Sequence, residues 1–284
     1  MKTTLILFLL SAAAACADPF AQRLAHDLMD DGDYAGATLE YRRLALAADQ
    51  APARAGWYWA AGYAYGQAAA WSEAERMLDR AEDAYPGLGP AATLLRGRSA
   101  YARGRYDEAA YFFESAARSA GDEGAVRRYA ARQLAATHVQ REQPAAARTA
   151  LVDSGSAEDA GRSALQDLEE GRDRSPALGG WLGVVPGLGY AYAGEYANAT
   201  RSLLLNSLFI WGLVSTAEEE QWGAFAVISF FEITWYTGSI YGGVDASHRF
   251  NQRRRARAIE AITAGAVMTP DYEALPAVRL KISF

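Results

Sequence analysis

A block that recurs four times constrains this chain more than any other feature. The anchors Tyr34, Trp71, Tyr106 and Pro144 stand 35 to 38 residues apart. Three residues after each comes an alanine (Ala37, Ala74, Ala109, Ala147). Four further on comes a large side chain (Tyr41, Leu78, Phe113, Leu151). Spacings of three and four put these residues on one helical face. Alanine, the strongest helix former, is abundant before residue 175. A helix pair of this length cannot bury its apolar face alone, so repeats of this kind stack on one another. Small residues let helices approach closely, and large ones fill the space between repeats.

The clearest block runs Gly62, Tyr65, Trp71, Ala74, Leu78, Ala81, Pro86, and the next gives Gly97, Tyr106, Ala109, Phe113 and Ala116. These residues resemble the signature of the tetratricopeptide repeat family, over roughly residues 20–170. The resemblance implies an all-α solenoid of antiparallel helical hairpins, here assigned to residues 18–174. A further amphipathic helix, Ala157 to Gly171, is expected to cap it. It also implies a groove, lined by the first helix of each pair, that binds peptides or protein tails. The expected groove positions are Trp59, Tyr63, Arg98, Tyr101, Tyr129 and Arg132. Trp59 and Tyr63 share a helix face, and aromatic residues with arginine are the composition of binding hot spots. The alternative is that these six pack against neighbouring repeats or face water.

Residues 1–17 read as a secretory signal, with Lys2, an apolar run from Leu5 to Leu10, then small residues. Two outcomes stand open at the lone cysteine. Cleavage after Ala17 removes Cys16, whereas cleavage before Cys16 leaves it as a lipidated N-terminus. Either places the chain in the envelope of a bacterium, with the repeats expected in the periplasm.

The composition changes at Ser175-Pro176, and residues 175–250 carry two apolar stretches, 200–217 and 222–244, joined by Glu218-Glu219-Glu220-Gln221. Their lengths predict a two-helix transmembrane hairpin. The preceding Pro186-Gly187-Leu188-Gly189-Tyr190-Ala191-Tyr192-Ala193-Gly194 resembles a turn in a small two-helix membrane module of bacterial envelope proteins. That resemblance implies membrane association and no activity. Glu232 lies inside the second stretch, where an ionisable group is costly and faces a partner. Arg201, Asn206 and Tyr236 are the expected partners, or else Glu232 only fixes the packing. Residues 251–284 begin with a basic helix carrying Arg253, Arg254, Arg255 and Arg257, suited to anionic lipid. They end in an alternating pattern, Val278, Leu280, Ile282, Phe284, typical of a strand. That strand either adds to a partner's sheet or packs on its own chain.

The formal charge of -6 argues against nucleic acid as partner. His26, His138 and His248 lack metal-ligand spacing, there is no cysteine cluster, and no nucleophile–base motif appears. The expectation is therefore a membrane-anchored scaffold, not an enzyme, without metal or cofactor, whose partners are an envelope protein or peptide and lipid. The alternative is a membrane component whose hairpin oligomerises or handles a small solute around Glu232.

Overall fold

The computed structural model describes residues 19–120, 124–153, 160–271 and 279–283, and these fall into two compact units. The first holds the repeats together with the chain's C-terminal segment from Ile259 on; the second spans Gln166–Ala258.

In the first unit the helices come in pairs: α1 (Pro19–Asp30) with α2 (Tyr34–Ala47), α3 (Ala51–Gln67) with α4 (Trp71–Ala84), α5 (Gly89–Ala102) with α6 (Tyr106–Ser119), and α7 (Gly124–Gln140) with α8 (Pro144–Asp153). The chain repeats one turn in each pair. Gly32, Ala69, Gly104 and Glu142, each two residues before an anchor, adopt positive φ of 78°, 56°, 73° and 60°. In three of the turns the next N–H reaches back to a carbonyl five residues earlier: Ala70 to Tyr65, Arg105 to Ala100, Gln143 to His138. This is the left-handed stop that ends a helix and closes its last carbonyls. Glycine adopts it freely, while Ala69 and Glu142 do so at a cost.

Each second helix packs on the first helix of the next pair, α2 on α3, α4 on α5, α6 on α7. The first helices also meet each other, α3 with α5 and α5 with α7. The side where successive helices approach is the inner, concave layer of such a stack. The signature residues fill the seams: Ala37, Ala74, Ala109, Ala147, Tyr41, Leu78 and Phe113 are all buried. Gly97 shows why a small residue is needed, since a Cβ there would lie 2.6 Å from the ring of Phe113. Polar clips join the second and third pairs. Glu75 accepts from Ser99, Arg103 and Arg105, and Arg96 donates to Asp79 and Glu82. These exposed pairs contribute little, about 0–1 kcal/mol each; the buried seams hold the stack.

α9 (Ala160–Glu170) forms within the expected capping helix, and its start meets Ile262 through Gly161. β1 (Val267–Asp271) and β2 (Arg279–Ser283) pair antiparallel, with Met268 opposite Ile282. The terminal strand is thus paired within its own chain, along one of its edges. Val278 and Phe284, the ends of the pattern, lie outside the described residues, as do the signal-like segment and Cys16.

The second unit contains α10 (Pro176–Leu182), α11 (Leu188–Tyr192), α12 (Tyr196–Glu218) and most of α13 (Trp222–Thr263). The same left-handed stop recurs at Gly194 and Glu220, before α12 and α13. The expected hairpin forms, but its spanning character is not supported: among the described residues no helix is long and apolar enough to cross a membrane. The reason is dilution. α12 carries Arg201, Ser202, Asn206 and Ser207, and α13 carries Glu232, Thr234, Tyr236 and Thr237. The basic stretch is not a separate element either, because α13 continues unbroken through Arg253–Arg257 for 42 residues.

The Pro-Gly-x-Gly turn closes a tight crossing. Gly189 lies so near Gly179 and Gly243 that a Cβ on it would stand 2.8 Å from the Gly243 Cα. Beside it, Glu195 accepts from Arg249 at 2.9 and 2.8 Å, from Arg253 at 3.0 Å and from Asn198 at 2.8 Å. The bidentate Arg249 contact holds the Glu195 carboxyl down at about 2.

Candidate binding face of the helical repeats

The six expected groove residues stand on the inner layer: Trp59 and Tyr63 on α3, Arg98 and Tyr101 on α5, Tyr129 and Arg132 on α7. Their spacing follows the repeat, so the fold gathers residues from three different pairs. Trp59 and Tyr63 stack with ring centroids 5.7 Å apart, and Arg98 lies 5.6 Å over the Tyr63 ring. The Trp59 indole N–H donates to the Ala91 carbonyl at 3.0 Å, tying α3 to the start of α5. Burial pushes the Tyr129 hydroxyl up, with Arg98 pulling it down and Tyr63 adding to the rise. Tyr63, Arg98 and Tyr129 therefore form one electrostatic neighbourhood.

The face is not an open groove in this structure. Trp59, Tyr63 and Tyr129 are only 2%, 6% and 3% exposed, while Arg98, Tyr101 and Arg132 are half-buried. Part of that burial comes from neighbouring repeats, as the Trp59 contact with Ala91 shows. Part comes from the chain's C-terminal segment. Arg132 donates to the Ala264 carbonyl at 3.1 Å, β2 lies against α7, and Met268, 2% exposed, belongs to the same buried cluster as Trp59, Tyr63, Leu94 and Tyr129. Sequence reasoning missed Met268 and the Ala264 carbonyl. No local pattern marks them, since their partners lie more than a hundred positions earlier.

At the N-terminal end of the stack, His26 packs among aromatic side chains. It stacks on Trp57 at 6.1 Å, and its Nδ1 lies 3.2 Å from the Tyr41 hydroxyl; burial pushes its pKa down. Among the described residues no group of His, Cys, Asp or Glu is placed to hold a metal ion.

The second unit presents the other predicted positions. Arg201 is exposed and lines a cavity of about 320 Å³ with Asn198, Ser202, Leu205, Trp235 and Ser239. Ser202 donates to Ser239 at 3.0 Å, and Asn206 donates to the Ser202 carbonyl at 2.6 Å. Glu232 is 8% exposed, with one carboxylate oxygen buried and unpartnered among the described residues; burial pushes its pKa up. Two of the three expected partners make other contacts: Tyr236 donates to the Val184 carbonyl at 2.7 Å, and the Asn206 amide nitrogen to Ser202. Along the hairpin many large apolar side chains face outward, among them Leu204, Leu208, Trp211, Phe230, Ile233 and Trp235.

No protein-family profile and no curated protein matches this sequence. One solved structure, that of the Rap conjugation gene regulator of the plasmid pLS20 in complex with the Phr* peptide, is similar to this chain at 16% identity. The similarity has a TM-score of 0.43 and covers 86% of this chain and 75% of that one. Likeness at that level assigns neither fold nor ligand; the repeat architecture rests on the helix pairing described above.

Proposed function

We propose that this chain is a binding scaffold of the bacterial cell envelope, whose inner helical layer holds a segment of another protein. One observation carries the reading. The layer of first helices is packed on one side by the second helices, and among the described residues of this unit its other side, rich in aromatic residues and arginine, carries no further helical layer. Among the described residues, a short C-terminal segment lies against it at α7. Surfaces built from Tyr, Trp and Arg are those that supply most of the energy of protein recognition. Panning a peptide-display library on the full chain tests this. Binders are expected whose affinity falls at least about tenfold on Arg98→Ala or Tyr101→Ala, the loss typical of an interface hot spot. Binders that ignore both substitutions would refute it.

A lipid surface is the second partner in this reading, favoured by the outward-facing apolar side chains of α12 and α13. Monomeric soluble proteins rarely expose large apolar patches without a partner for them. The helices are too dilute in apolar residues to cross, so the association is with the surface or one leaflet, helped by the arginines of α13. Flotation with vesicles is the test. Recovery of the chain at the bottom of the gradient would remove lipid from the account. A role for the hairpin in handling a small solute rests on the Arg201 cavity and ranks below the scaffold reading.

A further inference from the structure

We infer that the inner layer takes an extended, strand-forming segment anchored by one apolar side chain, and that the chain's own C-terminal hairpin is its resident occupant. A partner segment must then displace or replace this hairpin. The inference deepens the binding reading above and rests on it.

The occupant shows the chemistry. α13 ends at Thr263, and Gly265, with φ of 72°, turns the chain directly into β1. The turn is closed by the Ala266 N–H to the Thr263 carbonyl at 3.1 Å. Three features then seat the segment on the inner layer. The Arg132 guanidinium takes a main-chain carbonyl, that of Ala264. Met268, 2% exposed, joins the continuous buried core of the repeats, to which Trp59, Tyr63, Leu94 and Tyr129 also belong. β2 lies against α7. A main-chain carbonyl bound by arginine and a single apolar anchor are contacts that any extended peptide can offer. A two-stranded hairpin is marginal by itself, so its order is borrowed from the surface beneath it. Such an element is the part of a fold most readily exchanged for an equivalent strand from outside. Methionine suits the anchor position because its flexible thioether fills irregular space without demanding one geometry.

The test uses a fluorescent synthetic peptide with the sequence of residues 264–284. It is titrated into the full chain, into the full chain carrying Met268→Glu, and into a chain ending at Thr263; circular dichroism establishes that each is folded. The full chain is expected to bind the peptide weakly. Both altered chains should bind it at least about tenfold tighter, and Met268→Glu in the peptide should abolish that gain. If truncation unfolds the chain, the point variant alone decides. Equal affinity for all three chains would overturn the inference. Library binders from the preceding test separate the two readings. If they bind all three chains alike and are lost on Arg98→Ala while the tail peptide never binds, the binding face stands and the resident occupant falls. If neither tail nor library peptides bind any folded chain, both fall.

Discussion

Glu195 offers the sharpest test of the second unit. Its carboxylate is 8% exposed and receives hydrogen bonds from Arg249, Arg253 and Asn198. The pKa falls from 4.5 to about 2. At about 1.4 kcal/mol per pKa unit, that shift corresponds to roughly 3 kcal/mol. Solvent screens the pair, because the Arg249 and Arg253 side chains are 35% and 54% exposed. The expected contribution is therefore about 2 kcal/mol. The pKa is depressed in the folded state, so the stabilisation is present above the unfolded value of 4.5. It drains away as pH falls toward about 2. Urea unfolding of the parent chain and of Glu195→Gln, followed by tryptophan fluorescence, reads this directly. At neutral pH the variant should be less stable by about 2 kcal/mol. The gap should close as pH falls through the window from 4.5 to about 2. A gap that does not change with pH, or one below about 0.5 kcal/mol at neutral pH, would refute the assignment of this stabilisation to the Glu195 charge.

Other consequences concern the stack and the hairpin. Gly97→Val forces a branched side chain against the buried Phe113 ring, so unfolding free energy should fall by about 1–3 kcal/mol by overpacking, offset only slightly by valine's better helix propensity; an unchanged melt would contradict the seam geometry. Ala69→Gly should raise stability by up to about 1 kcal/mol, since it relieves a left-handed residue at some cost in chain entropy. Ala68→Gly, one residue away at negative φ, should instead lower it, and calorimetry distinguishes the two. Leu204→Glu with Phe230→Glu should reduce vesicle flotation at least about tenfold while leaving helicity intact, because both side chains face outward; undiminished flotation would place the lipid contact elsewhere.

The repeat was legible because its determinants are local. Tyr65, Trp71, Ala74 and Leu78 lie within one helical hairpin, and their spacing alone fixes which face packs. The left-handed turn was not read from the sequence: glycine occupies it at Gly32 and Gly104, but Ala69 and Glu142 adopt it as well, against residue preference. The six inner-layer positions followed from the resemblance to the tetratricopeptide signature, which implies a groove lined by the first helix of each pair. Their cover did not, because the contacts of Arg132 with Ala264 and of Met268 with the repeat cluster join distant parts of the chain. The hairpin was legible as two helices and misread as spanning. Length suggested a bilayer, whereas the polar residues Arg201, Asn206 and Glu232 lower the apolar content below what crossing requires. Neither the Glu195–Arg249 pair nor the Ser202–Ser239 contact follows any sequence periodicity.

The central claim is that the inner layer is the face that meets another protein. A photo-crosslinking amino acid placed in cells at Arg98, Tyr101 or Arg132, and in parallel at the exposed Arg76 and Arg118 of the second helices, tests it most directly. The account predicts one shared cross-linked protein from the inner positions and none of it from α4 or α6. Cross-links to that protein from Arg76 and Arg118, with the inner positions silent, would contradict it.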